Sequence, residues 1–105
     1  AISMAEARAF FLKERTSWKG GGKAVPVNAP ASSSLRRTFR ARVLGMDAAH
    51  EQSYWQDEGI RKGLVEPPEF NNTLKAVFKL KGAISYVYRK DFNAAVAKVL
   101  LVIER

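Results

Sequence analysis

The stretch VPVNAPASSSLRRTFRARVLG, residues 25–45, decides the fold, because a short apolar run, a loop and a helix follow one another in it. Val25-Pro26-Val27 is typical of a strand, and Pro26 lacks a backbone N–H, which confines it to an edge or a strand end. From Leu35 to Leu44 the apolar residues keep helical spacing, and Gly45 is a typical residue at the end of a helix. The stretch therefore predicts a strand, a loop and a helix.

Three further helices are predicted outside this unit from their start and stop signals. They run from Ser3 to Lys13, with Glu6 completing a capping box; from Asp47 through Trp55; and from Asn72 or Thr73 to Leu80. The three glycines at 20–22 predict a turn, and residues 59–70 are predicted to be irregular.

Two more strands are predicted in the last part of the chain, at Ala83–Tyr88 and Val96–Ile103, because both runs are rich in apolar and β-branched residues. Short strands separated by helices indicate an α/β domain. We expect a short central sheet with about four flanking helices. The length of 105 residues fits one domain over residues 1–105.

The composition excludes several classes of protein. No apolar run approaches the roughly 20 residues that a membrane-spanning helix needs, so no membrane span is expected. The absence of cysteine excludes disulfides and thiolate metal sites. The net charge of +8 favours an anionic partner, such as phosphate, nucleic acid, lipid headgroups or an acidic protein.

The three serines before the predicted second helix are the best candidate for a binding site. The first turn of a helix presents unpaired backbone N–H groups and the positive end of its dipole, and serine hydroxyls add further donors. Ser32, Ser33 and Ser34 stand at this position, and Arg36 and Arg37 lie in the same turn. The pattern predicts an anion site, although serine is also a common N-cap for stability alone.

Catalysis has little support in the sequence. His50 is the only histidine and stands beside Glu51, as a solvated helix residue commonly does. Asp57 and Glu58 are adjacent, so on a helix their carboxylates point in different directions. The sequence has no cluster of metal ligands and no nucleotide-binding loop. We therefore expect neither an enzyme nor a cofactor.

Nucleic-acid binding is considered because four arginines crowd the second helix and several aromatic residues occur along the chain. These are Arg36, Arg37, Arg40 and Arg42, with Trp18, Tyr54, Tyr86 and Tyr88. The arginines alternate with apolar residues, which predicts a solvated face opposite a core face. No nucleic-acid partner is expected.

Taken in order, these features resemble the substrate-binding proteins of phosphate ABC transporters, which have a periplasmic binding protein type II fold. The resemblance covers nearly the whole chain and rests on six short motifs with similar spacing. They are Ile2–Lys13 with Trp18 and Gly20; Val25-Pro26-Val27; Ser32-Ser33-Ser34 with Phe39 and Val43-Leu44-Gly45; Tyr54-Trp55; Gly63 with Pro67-Pro68; and Gly82–Val87.

The resemblance implies that residues 1–105 form a single, three-layer-like lobe of such a protein, located in the periplasm or outside the cell. It implies that Ser32, Ser33 and Ser34 bind inorganic phosphate or another oxyanion through hydroxyl and backbone N–H groups. Arg36 or Arg37 would add positive charge to this site. The lobe would be a non-enzymatic binding module.

The chain also departs from the family. Residues 28–30 hold no arginine where larger members place one, Ser33-Ser34-Leu35 stands where the family has Ser-Gly-Thr, and Ser85 replaces a glycine. Family members close two lobes around the ligand, whereas this chain supplies one and lacks the strand that usually precedes the first helix. The alternative hypothesis is therefore a structural or interaction subunit that has lost ligand binding. It would assemble with itself or with a larger periplasmic or cell-surface assembly.

Overall fold

Two short parallel strands are paired at the centre of the computed structural model, which describes residues 1–103. Strand β1, Val25–Pro26, pairs with β2, Ala83–Ile84, in the register Val25 to Ala83 and Pro26 to Ile84. The helices are α1, Met4–Phe11; α2, Ser34–Phe39; α3, Ala48–Lys62; and α4, Thr73–Lys79. Arg89–Asp91 forms a short 3₁₀ turn. In this coarse form, the predicted α/β class is confirmed for the described residues.

The predicted helix starts are confirmed by their caps. Ser3 and Glu6 form a complete capping box at α1, and Asp47 accepts a hydrogen bond from the His50 amide at α3. Asn72 accepts one from the Lys75 amide at α4. A cap acts through groups two or three residues away, so the local sequence is enough to specify it.

Three predicted boundaries are wrong. Helix α3 continues through Gly59 to Lys62 and ends at Gly63, so the irregular segment is shorter than expected. Strand β2 stops at Ile84 and does not reach Tyr88. Residues 96–103 form no strand, although the Ile2 amide donates to the Leu100 carbonyl at 3.0 Å. Leu100, Leu101 and Ile103 of this segment pack against the core without pairing along a sheet, while Val99 and Val102 are exposed.

The second helix changes its winding after Phe39. Residues Arg40–Leu44 form a π-helical segment, which ends at Gly45 with φ 66°. Left-handed backbone of this kind favours glycine, so Gly45 ends the helix as the sequence predicts.

The core lies between α1, the α2 and π-helical segment, and β2. Phe10, Phe11 and Leu12 of α1 are buried, as is Ile84 of β2. The Phe39 ring lies parallel to the ring of Tyr86 at 3.8 Å between centroids, which joins α2 to the segment after β2. This contact fixes the C-terminal end of α2 against the segment that follows β2, and the predicted site lies at the opposite end of the same helix.

Gly82 lets the two strands approach each other. It has φ 81°, and a Cβ atom at this position would lie 2.4 Å from the Lys23 carbonyl oxygen. Its own carbonyl accepts a hydrogen bond of 2.9 Å from Trp18 Nε1. A larger residue at 82 would force the strands apart.

None of the helices in residues 1–103 is both long and apolar enough to cross a membrane.

Candidate functional site

The three serines form a turn at the start of α2, as predicted, and Ser33 is the residue that caps the helix. Its Oγ accepts a hydrogen bond from the Arg36 amide at 3.1 Å and donates to the Pro30 carbonyl at 2.7 Å. This hydroxyl therefore both donates and accepts a hydrogen bond that holds the turn. We call Ser32, Ser33 and Ser34 together the serine turn.

The other donors at the serine turn face outward. Ser34 is exposed, and its Oγ forms a hydrogen bond of 2.8 Å with the Tyr88 hydroxyl. Within the described part of the chain, the amides of Ser34 and Leu35 donate to no protein group. Amides of the first helical turn have no intrahelical acceptor and bind water or a ligand.

The guanidinium of Arg37 lies at the serine turn. Its Nη1 donates to the Ser32 carbonyl at 2.8 Å, and both residues are exposed. A guanidinium has five N–H donors, so this one bond leaves most of the group available to a ligand. The turn thus combines a cation with hydroxyl and amide donors.

Arg36 points the other way. Only 1% of the residue is exposed, and its Nη2 donates to Glu51 at 3.0 Å while its Nη1 donates to the Ala29 carbonyl at 2.8 Å. Carboxylate oxygens of Glu66 and Glu69 lie 3.4 Å from the same guanidinium. The structure therefore separates the two arginines that the sequence places in one site, since Arg36 is engaged inside the protein.

Arg40 joins Arg36 in the interior. Its Nε donates to Glu51 Oε1 at 2.7 Å, so the two oxygens of this buried carboxylate bind two different arginines. The expectation that the arginines of the second helix form a solvated face is wrong for these two and holds for the exposed Arg37 and Arg42. Burial lowers the pKa of the Arg36 guanidinium, but the hydrogen bond and charge of Glu51 outweigh it, so the pKa is raised.

Tyr86 connects this ionic cluster to the strands. Its hydroxyl donates to Asn28 Oδ1 at 2.8 Å and accepts from the Ala29 amide at 3.0 Å. Burial raises the pKa of this phenol well above its ordinary value, although the Ala29 amide opposes the shift. Tyr86 therefore stays neutral and holds the loop that leads to the serine turn.

Sequence reasoning missed the importance of Glu51, which it treated only as a neighbour of His50. A signal was present, because Arg36 and Arg40 are four residues apart and lie on the same helical face as Phe39 and Val43. Charged residues inside an apolar stripe require a buried partner. The partner is remote in the sequence, so local spacing does not identify it.

Other chemistry is not assembled in the described residues. His50 is exposed near the start of α3, and within residues 1–103 no group of three or more metal-ligating side chains comes together. Comparisons of the chain with protein-family models, with curated proteins and with solved structures gave no match. The donors of the serine turn fit an anion, and within residues 1–103 none of its hydroxyls is hydrogen-bonded to a histidine, lysine or carboxylate that could act as a base.

Proposed function

We propose that this chain is a non-enzymatic, extracytoplasmic binding lobe that holds inorganic phosphate or a similar oxyanion at the serine turn. The observation that carries the proposal is the placement of the Arg37 guanidinium against the Ser32 carbonyl, beside the unpaired amides of Ser34 and Leu35. The resemblance to phosphate-binding proteins supports the same choice of ligand.

The donors at the serine turn differ in kind, and each suits a tetrahedral oxyanion. Two backbone amides supply fixed donors at the positive end of the helix, while the hydroxyl of the exposed Ser34 can reorient toward an oxygen. Arg37 supplies a full positive charge and paired N–H groups. Phosphate, which has several oxygens, can use more than one of these at once.

The site also explains why binding should be weak. All these donors belong to one side of the ion, so water continues to solvate the other side and competes with each hydrogen bond. Glu66 and Glu69 add negative charge near the loop before the turn, through their contacts with Arg36. We expect a dissociation constant on the order of millimolar, which is about 4 kcal/mol of binding free energy.

Calorimetric titration with inorganic phosphate at low ionic strength tests this proposal, with NMR shifts of the Ser34 and Leu35 amides as a local readout. Arg37→Gln should weaken binding about tenfold, because it removes charge-assisted hydrogen bonds. Arg42→Gln is the matched control. Arg42 is exposed on the following π-helical segment, and its substitution removes the same charge.

Arg42→Gln should leave binding nearly unchanged. Absence of both heat and amide shifts at millimolar phosphate would overturn the proposal. Equal losses for the two arginine variants would also overturn it, because the effect would then come from total charge.

A second candidate function, assembly with a second copy of the chain, is favoured by the region beside β2. The described sheet has two strands, and a groove of about 280 Å³ opens next to it. Its lining includes the apolar side chains of Phe11, Val77, Ile84 and Leu101. Parallel sheets are normally covered on both faces, so this groove fits an apolar segment from a partner.

Light scattering coupled to gel filtration tests this second candidate. A mass that rises toward a dimer with concentration supports it, and Val77→Asp should then restore the monomer. A monomer at every concentration up to the millimolar range would contradict it, whatever the result of the phosphate titration.

A further inference from the structure

The outer face of α4 combines exposed lysines with exposed apolar side chains. On a helix, Lys75, Phe78 and Lys79 are three and four residues apart and lie on one face, which points away from the buried Thr73. All three are exposed, and Phe78 is 64% exposed. The exposed Leu80 and Lys81 follow directly, so we define the α4 face as Lys75, Phe78, Lys79, Leu80 and Lys81.

The charge of this region is one-sided. Residues 70–90 contain five lysines and arginines and no aspartate or glutamate. Within the described residues, none of the three lysines of the α4 face lies within ion-pair distance of a carboxylate. Their charges are therefore available to an external anionic surface.

The end of α3 shows that exposure of a large apolar residue is not enough. Ile60 is 88% exposed and is followed by Arg61 and Lys62, but both cations pair with Glu58. At the end of α3, an exposed apolar side chain therefore lies beside cations that are already paired with a carboxylate. The α4 face has two exposed apolar side chains and three lysines, and within residues 1–103 none of these lysines is paired with a carboxylate.

We propose that the α4 face docks on an anionic lipid surface. The exposed Phe78 ring lies on the same side of α4 as Lys75 and Lys79, where it can act as an interfacial anchor whose ring enters the boundary of headgroups and acyl chains. The lysine stems can lie along the apolar layer while their ammonium groups stay at the lipid phosphates. A nucleic acid would match the lysines, but it offers no apolar layer for Phe78 and Leu80, and an acidic polypeptide is an outcome that the comparison with polyglutamate below distinguishes. This attachment is independent of the serine turn.

Sedimentation with vesicles tests the proposal. Vesicles of phosphatidylcholine mixed with phosphatidylglycerol should bind the protein at low salt, and vesicles of phosphatidylcholine alone should not. Lys79→Gln should lower partition onto the anionic vesicles about fivefold, since each lysine contributes a similar factor. Phe78→Ala should lower it about tenfold.

Ile60→Ala is the matched apolar control and should leave partition unchanged. Arg37→Gln separates this surface from the serine turn, because it removes the cation of the serine turn and leaves the α4 face intact. In Phe78→Trp, brominated acyl chains should quench more fluorescence than in the unaltered protein, which would show that residue 78 enters the bilayer.

Several results would overturn the proposal. One is the absence of sedimentation with anionic vesicles at low salt. Another is an equal loss for Phe78→Ala and Ile60→Ala, which would exclude a specific anchor. Binding to polyglutamate or DNA that is stronger than binding to the vesicles would assign the lysines to another class of partner. Loss of partition in Arg37→Gln alone would assign lipid binding to the serine turn.

Discussion

The inner and outer sides of α2 treat neighbouring arginines in opposite ways. Arg36 is buried against Glu51, and Arg37, the next residue, is exposed at the serine turn. The inner side uses its charge to join α2 to α3, at the cost of removing both ions from water. The outer side keeps its charge hydrated and available. The difference shows that position around the helix, more than residue type, separates a structural arginine from a candidate ligand-binding one.

The largest expected effect comes from breaking the inner side. Glu51→Gln would leave Arg36 and Arg40 without the carboxylate that binds both. Because an unpaired buried charge is costly, we expect a loss of about 3–5 kcal/mol in the free energy of unfolding. Urea denaturation measures it.

Glu58→Gln on the same helix is the control for this change, since within residues 1–103 the ion pairs of Glu58 are with the exposed Arg61 and Lys62. The Glu58→Gln variant should lose far less of its free energy of unfolding than Glu51→Gln. If the two variants lost equal stability, the buried cluster would not be the main link between α2 and α3.

Tyr86→Phe tests the hydrogen bonds that support the inner side. The variant keeps the ring beside Phe39 but leaves the Ala29 amide and Asn28 Oδ1 without their partner. Unsatisfied buried groups of this kind cost about 1–3 kcal/mol, measured by the urea midpoint at neutral pH.

The same residue predicts a dependence on pH. Burial raises the pKa of Tyr86 above its ordinary value of about 10 in the unfolded chain. The folded state therefore favours the neutral phenol, so its contribution to stability is full below about pH 10 and is lost as the pH rises further. The free energy of unfolding of Tyr86→Phe should decline less between pH 10 and 11 than that of the unaltered protein. Parallel declines would contradict this assignment.

Ser33→Ala acts at the boundary between the two sides. It removes the N-cap of α2 and its bond to the Pro30 carbonyl, for an expected loss of about 1 kcal/mol in thermal or urea denaturation. Ser32→Ala is the control and should change stability by less than about 0.5 kcal/mol, because Ser32 is exposed. Similar losses in both variants would show that Ser33 is not the specific cap.

The smallest effect on stability is expected on the outer side. Arg37→Gln removes one exposed hydrogen bond to the Ser32 carbonyl, so its unfolding free energy should change by less than about 0.5 kcal/mol. If Arg37→Gln lost as much unfolding free energy as Glu51→Gln, the exposed Arg37 would be as structural as the buried Arg36. A stable variant that no longer binds phosphate would sharpen the contrast between the two sides.

The part of the fold that could be predicted is the part specified by short-range signals. The caps at Ser3, Asp47 and Asn72 and the helix end at Gly45 depend on residues within one turn, and each lies where the sequence places it. The sequence predicts an irregular segment from Gly59 onward, whereas α3 continues to Lys62. One glycine costs only about 1 kcal/mol in a helix, so neighbouring interactions can carry the helix past it.

The candidate site was predictable only in outline. The serine turn follows from residues 32–34, but the opposite directions of Arg36 and Arg37 depend on Glu51, which lies 15 residues from Arg36 and on another helix. Residues 96–103 illustrate the same limit, since their composition suits a strand and the described fold offers them no paired strand position. Composition predicts burial there, and tertiary packing decides the conformation.

The hydrogen bond between Trp18 and Gly82 also affects the order in which the parts of the fold can form during synthesis. It joins residues 64 positions apart, and the Asn28 to Tyr86 bond spans 58. On the ribosome, α1, β1, α2 and α3 all emerge before β2 exists, so β1 has no strand partner and the loop before the serine turn has no Tyr86 to hold it. Until Tyr86 has left the exit tunnel, β1 and the ionic cluster of Arg36, Arg40 and Glu51 therefore remain uncovered. The nascent chain is most open to aggregation and proteolysis during this period.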